Sequence, residues 1–190
     1  MAPSPTPPAP TPPALIPGAA DSGFELSWID HPALPARGLG LCRCPGTRDG
    51  MRMPETLLAQ DLHHLAGLGI SSIVSLIDAD ECQLIGVPSL AAQMAAGFNW
   101  RSFPIIDRAV PEPGQATAFH QLLADLSAML DEGARLAIHC HAGLGRSGML
   151  AAALLVRCGV AADEAIATTR RCRPGAIETD DQERYICGLA

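Results

Sequence analysis

Lysine is missing from this sequence: all 13 basic residues among its 190 are arginine. That excludes lysine-based catalysis and Walker-type phosphate binding, which needs a lysine behind its glycine loop. The arginine-only pattern itself fits a genome that favours arginine codons. Aromatic residues are scarce at 4%, so the core has to come from Leu, Ile, Val, Ala and Met. Positive charge is in deficit too. The formal net charge is -7, and non-specific nucleic-acid binding needs a basic face. No nucleic-acid partner is expected. Long apolar runs are absent: Met149 to Val156 is the longest, against the roughly 20 residues of a membrane-spanning helix. The opening MAPSPTPPAPTPPALIP has no basic leader and no sustained apolar run. Neither a signal peptide, nor an anchor, nor a membrane partner is expected.

Cysteine usage excludes a disulfide scaffold. The seven cysteines, at 42, 44, 82, 140, 158, 172 and 187, are odd in number and irregularly spaced. Cys42 and Cys44 form C-x-C without a matching second pair, so no zinc site and no metal is expected. A reducing compartment, hence a cytoplasmic location, fits this usage.

What is present suits one globular domain, with 48% hydrophobic and 17% charged residues. Residues 1 to 22 form a Pro/Ala/Thr/Ser tail with little to bury, expected to be a disordered linker. The folded domain is expected over 23–190. Short strands are predicted at Phe24 to Trp28 and Leu39 to Cys42. A helix over Pro54 to Leu68 places Leu57, Leu58, Asp61, Leu62 and Leu65 on one face, with Pro54 in its first turn. The β-branched run Ile70 to Ile77 reads as a buried strand. Then come a helix (Ser89 to Ala96), a strand (Phe98 to Phe103) and an amphipathic helix (Gln115 to Leu130). A strand (Arg135 to His139) leads to a helix apolar nearly all round (Ser147 to Arg157). Two helices close the chain, Ala162 to Arg171 and Asp180 to Cys187. This alternation predicts an α/β fold: a central, mostly parallel sheet with helices on both faces.

The segment His139-Cys140-His141-Ala142-Gly143-Leu144-Gly145-Arg146-Ser147-Gly148 carries the chemistry. It leaves a predicted strand and opens the buried helix. Such a loop aims backbone N–H groups at one point, and the helix dipole adds to the field. His141 to Arg146 would therefore cradle a phosphate, with Gly143 and Gly145 allowing the tight curl. Arg146, after five intervening residues, can reach back and grip two phosphate oxygens with its planar fork. The positive field favours a thiolate at Cys140, a nucleophile poised for in-line attack. Ser147 can donate a hydrogen bond to that sulfur and help it leave. C-x5-R alone is a weak signal; the glycines, the flanking His and Ser, and the strand-to-helix setting make it strong.

His139 to Ser147 resembles the signature loop of the protein tyrosine and dual-specificity phosphatases. Over most of residues 24 to 187 the chain is similar to the kinase-associated phosphatase (cyclin-dependent kinase inhibitor 3) family. The likeness runs through Leu26-Ser27-Trp28, Gly40-Leu41-Cys42 with Pro45-Gly46, Gly69-Ile70 and Gly86-Val87-Pro88-Ser89-Leu90. It continues through Pro104-Ile105-Ile106-Asp107, the signature loop, and Gly175-Ala176-Ile177 leading to Gln182. The resemblance implies the cysteine phosphatase fold, with Cys140 as nucleophile and Arg146 as phosphate-binding arginine. It implies a phosphorylated protein substrate, with a protein kinase as one candidate.

Protonating the leaving oxygen needs an acid. Asp107, just after a predicted strand and upstream of the cysteine, is the candidate. Arg108 to Gly114, with Pro111 and Pro113, would form a mobile or bent lid. Asp78, Asp80 and Glu81 are the competing acids, although they resemble a supporting loop. Gln182 matches the position that aligns the attacking water in relatives; an exposed helix glutamine is an equally good reading. His139 is expected to bond within the loop and hold the cysteine, and His141 to shape the rim. Adjacent His63 and His64 point to different helix faces and suggest no metal. Arg170, Arg171 and Arg173 read as a solvated helix end, or as a contact for acidic substrate segments.

The expected activity is hydrolysis of phosphotyrosine, phosphoserine or phosphothreonine by a monomer that needs no cofactor. The alternatives are a pseudophosphatase that only binds phosphoproteins, a sulfur-transfer or arsenate-reducing enzyme, and a phosphatase for lipid or inositol phosphates. The acidic charge and the lack of lysine in the loop weigh against the last.

Overall fold

The computed structural model describes residues 23–48 and 55–189. The proline-rich tail and the first-turn role expected of Pro54 lie outside the described residues. Along the chain run β1 (Ser27–Trp28), β2 (Leu39–Cys42), α1 (Glu55–Gly67), β3 (Ser72–Ser75), α2 (Ala79–Leu84) and α3 (Leu90–Gly97). They are followed by β4 (Asn99–Ser102), a 3-10 turn (Pro113–Gln115), α4 (Ala116–Asp131) and β5 (Leu136–His139). The chain closes with α5 (Gly145–Arg157), α6 (Ala162–Cys172) and α7 (Asp180–Cys187).

The five strands order as β1-β2-β5-β3-β4. β5 lies in the centre, parallel to both neighbours, with Ile138 opposite Leu41 on β2 and Val74 on β3. β4 extends the parallel sheet, and only β1 runs antiparallel. Right-handed crossovers then fix the layers. The steps from β2 to β3 and from β3 to β4 run one way across the sheet and put α1 to α3 on one face. The step from β4 back to β5 runs the other way and puts α4 on the opposite face. The packing agrees: α1 touches α3, whereas α5 touches α4, α6 and α7.

Two features of this architecture position the site. β5 is buried along its whole length, Leu136 to His139, so its carboxyl end is fixed from both sides. α5 is buried from Gly145 through Leu155 and packs on β2 and β5. Its small residues, Ala151 to Ala153, let it approach the sheet closely. The loop between two such immobile elements has little freedom.

The predicted strand at 70–77 shortens to Ser72–Ser75 because Asp78 starts a helix the sequence reading did not contain. Its carboxylate accepts from the Glu81 backbone N–H at 2.7 Å and caps α2. At six residues α2 shows little periodicity, but Asp-x-x-Glu at 78–81 is a readable helix-start signal.

Candidate active site

Cys140 follows β5 directly, and the chain curls through His141 to Leu144 before entering α5. The curl depends on Gly143, whose φ is +73°. A methyl group there would collide with the Cys42 carbonyl on the neighbouring strand. Gly145 is as constrained from the other side, by the Glu178 carboxylate and the Gln182 amide. The outer rim is held by hydrogen bonds: Cys44 N–H donates to the His141 carbonyl at 2.9 Å. Arg173 donates from Nε to the Gly143 carbonyl and from Nη2 to the Ala142 carbonyl, each at 3.3 Å. Its Nη1 reaches Ser27 Oγ at 3.2 Å.

That corrects the reading of Arg170 and Arg173 as part of a solvated helix end, whereas Arg171 is exposed as read. Arg173 clamps the signature loop, and Arg170 holds the Ala176 and Ile177 carbonyls and Glu183. Loop carbonyls that face outward need donors; the long arginine side chain reaches them from the end of α6.

Cys140 is 3% exposed, at the floor of the loop. His139 bonds within the loop, as expected: its Nδ1 lies 3.1 Å from the Cys140 carbonyl. A carbonyl only accepts, so the proton sits on Nδ1, and Nε2 accepts from Ser75 Oγ at 2.6 Å. Ser75 Oγ in turn accepts from Trp100 Nε1 at 2.9 Å. A hydrogen-bonded chain thus crosses β4, β3 and β5 and ends on the backbone of Cys140. Burial holds the His139 pKa down at about 4, with the Arg146 charge pulling the same way, although the Cys140 carbonyl bond opposes them. The ring is neutral at pH 7. Ser75 and Trp100 were missed from sequence, since a strand serine and a strand tryptophan carry no motif.

Arg146 is 1% exposed. Glu81 binds it in a fork, Oε2 to Nη1 and Oε1 to Nη2, both at 2.7 Å. Nη1 also donates to the Ile105 carbonyl at 3.0 Å and the Leu76 carbonyl at 3.3 Å. Asp107 Oδ1 lies 2.9 Å from Nη2. Burial alone would lower the arginine pKa, but the Glu81 bond, the Cys140 and Asp107 charges and the Glu81 charge outweigh it, and the net direction is upward. The guanidinium stays charged, and the edge away from Glu81 carries Nε, buried without any hydrogen-bond partner. Among the three competing acids, then, Glu81 orients the arginine, Asp78 caps α2, and Asp80 is exposed.

Asp107 is 65% exposed by its side chain and sits beside the loop. Arg108 follows with φ +61°, a left-handed turn that bends the segment. The bend is tied down: Gln115 Nε2 donates to the Pro104 carbonyl at 3.1 Å, and Thr179 Oγ1 to the Arg108 carbonyl at 3.3 Å. Gln182 is fully buried, which corrects the exposed-glutamine reading. Its Nε2 donates to the Ala109 carbonyl at 3.3 Å, and its Oε1 accepts from Glu178 N–H at 2.9 Å. α7 therefore braces the acid loop and touches the signature loop at Gly145. Ser147 Oγ is buried and has no partner, so the expected bond to Cys140 is not formed. His141 is exposed at the rim, as expected, and Ala142 beside it is exposed too. No cluster of His, Cys, Asp or Glu that could hold a metal occurs among the described residues.

A family model described as "Polymorphic toxin system, DSP-PTPase phosphatase" matches residues 49–160. The chain belongs to this family of dual-specificity and protein tyrosine phosphatases. Human cyclin-dependent kinase inhibitor 3 is 29% identical over 166 residues, covering 85% of this chain and 76% of that protein. Kinase associated phosphatase, solved with its catalytic-site cysteine replaced by serine, superposes with a TM-score of 0.73 at 27% identity, covering 86% of this chain and 92% of that one. Tk-PTP in its active form gives 0.65 at 26% identity, covering 86% and 95%. The fold is that of the cysteine phosphatases, and the chain is a protein phosphatase of the tyrosine and dual-specificity class.

Proposed function

We propose that this chain hydrolyses phosphotyrosine, phosphoserine or phosphothreonine in a protein substrate through a phosphocysteine on Cys140. The observation that carries this reading is the half-committed guanidinium of Arg146. Glu81 fixes one edge, while the other has an unpartnered Nε and an Nη2 shared with Asp107. A phosphate binding that edge would take both N–H groups in a fork and displace the Asp107 carboxylate. The site would then hold a bound anion, and an Asp107 carboxyl group free to take up a proton from solvent and face the leaving oxygen.

The chemistry follows in two steps. The Cys140 sulfur attacks phosphorus in line, forming the S–P bond as the bond to the leaving oxygen breaks. Asp107 gives that oxygen its proton. The loop N–H groups of His141 to Arg146 and the Arg146 fork stabilise the equatorial oxygens. Water then attacks the phosphocysteine, with Asp107 taking its proton and sulfur leaving. Ser147, whose hydroxyl has no other partner, donates to the departing sulfur. Gln182, whose amide lies against Gly145, aligns the water when Nε2 releases Ala109.

No organic cofactor or metal enters this scheme. Residues 23–190 act as one catalytic domain and a monomer. Seven free cysteines favour a reducing, cytoplasmic setting. The likeness to kinase associated phosphatase makes a protein kinase a candidate substrate. Turnover of p-nitrophenyl phosphate and of phosphopeptides by the native protein, lost in Cys140→Ser, tests the proposal. Tight phosphopeptide binding with no turnover by the native protein would favour the binding-only alternative.

A further inference from the structure

The walls of the active site continue into a groove that this chemistry does not use. It holds about 190 Å³ at the carboxyl ends of β3 and β4, between α2 and the segment leading to Asp107. Ile77, Ala79, Cys82, Trp100 and Pro104 give it a mainly apolar lining.

Two of the chain segments that build the groove also hold Arg146, and Pro88, Leu90 and Ala91 at the start of α3 close it from the other side. The carbonyls of Leu76 and Ile105 accept from Arg146 Nη1, and their neighbours Ile77 and Pro104 line the groove. Glu81 forks onto Arg146, and the next residue, Cys82, lines the groove. Phosphate site and groove therefore lie one residue apart along both walls. The large exposed hydrophobic side chains among the described residues are Leu84, 86% exposed, and Ile106, 67% exposed. Leu84 lies on the side of α2 turned away from Asp78, Ala79 and Cys82, whereas Ile106 adjoins Asp107 in the segment that carries Pro104.

Resting on the phosphoprotein reading above, we propose that this groove is a specificity subsite. It takes a large apolar side chain of the substrate protein, close in sequence to the phosphorylated residue, with Ile106 beside it. A protein substrate has to lay its chain across the mouth of the site, and the groove lies one residue away from the Arg146 contacts on each of two walls. An extended chain advances about 3.3 Å per residue. Side chains one to three residues from the phosphorylated one therefore come within reach. An apolar cavity of about 150 Å³ takes a benzene ring, so this groove suits Phe, Leu or Met. Asp78 at the lip and a net charge of -7 disfavour an acidic side chain.

The experiment compares kcat/KM on two alanine-based peptide series, one with phosphotyrosine and one with phosphothreonine. Each peptide carries a single Phe or Leu at one of the three positions on either side. The native protein is expected to prefer the apolar peptide over the all-alanine one by about tenfold or more at one or two positions. Ala91→Phe and Ala79→Phe, which fill the groove, should each bring that ratio below threefold. Ile106→Ser, at an exposed position with little packing to lose, should lower it at least threefold. A ratio below threefold at every position, from a native protein that turns over p-nitrophenyl phosphate, overturns the subsite and leaves the enzyme intact. So does a preference that survives unchanged in the substituted proteins. No turnover of p-nitrophenyl phosphate or of any peptide overturns the phosphatase reading instead.

Discussion

Glu81 grips both terminal nitrogens of Arg146 at 2.7 Å, from a six-residue helix on the far side of the pocket. The phosphate-binding arginine is thus aimed before any phosphate arrives. Removing one partner of a buried ion pair leaves the other uncompensated, at about 3–5 kcal/mol. Glu81→Gln is therefore expected to lower kcat/KM for p-nitrophenyl phosphate by about tenfold or more and to weaken inhibition by inorganic phosphate. Unchanged values for both would mean that Arg146 is placed without Glu81.

Arg146→Lys is expected to lose most activity, because an ammonium cannot reproduce the fork that Nε and Nη2 present. Steady-state kinetics with p-nitrophenyl phosphate, with tungstate as competitor, reads the effect. A lysine variant within tenfold of native, still competitively inhibited, would remove the fork from the mechanism.

Asp107 should matter most when the leaving group is poor. Asp107→Asn is expected to cost about 10²–10⁴-fold on phosphothreonine or phosphotyrosine peptides and far less on p-nitrophenyl phosphate. Equal losses on both substrates would assign the acid elsewhere.

His139 ties stability to pH. An unfolded histidine takes its proton near 6.5, whereas burial keeps the folded one neutral down to about 4. Between those values the unfolded chain binds more protons, so this contribution is full above 6.5 and is lost as pH falls toward 4. The loss amounts to about 3 kcal/mol over the window. Urea unfolding at pH 7, 6, 5 and 4.5 should show that slope in the native protein. His139→Asn, less stable at pH 7, should show a shallower one. Parallel curves would clear His139 of the effect.

Oxidation should discriminate among the thiols. Burial pushes Cys42 and Cys44 well up, and it pushes Cys82 up to about 11, with Glu81 and Asp78 adding to it. All three stay protonated at neutral pH and are poor targets. Mild peroxide is expected to modify Cys140 ahead of them and abolish activity, with bound phosphate protecting. Mass spectrometry finding Cys140 intact after inactivation would contradict this.

The parts of the molecule that follow from local pattern were legible in the sequence. β2 occupies 39–42 as predicted, and α4 to α7 begin and end within two residues of their predicted bounds. The signature loop could be read because its cysteine, glycines and arginine fall within one short stretch, Cys140 to Arg146. What escaped was long-range and polar. The Glu81–Arg146 fork spans 65 residues, the Arg173 clamp 30, and the Ser75–His139 bond 64. No periodicity encodes which carboxylate faces which guanidinium once the sheet has folded. Gln182 was marked by its likeness to relatives, but its burial comes from α7 packing under the acid loop.

The chain of bonds from Trp100 to the Cys140 backbone gives the protein an optical handle. The sequence has two tryptophans, and the other, Trp28, lies on the antiparallel edge strand. In a Trp28→Phe protein all indole emission would come from a ring hydrogen-bonded to Ser75, which is in turn bonded to the histidine that carries the nucleophile. Anion capture, phosphocysteine formation and its hydrolysis could then be followed in a stopped-flow fluorimeter without any attached dye.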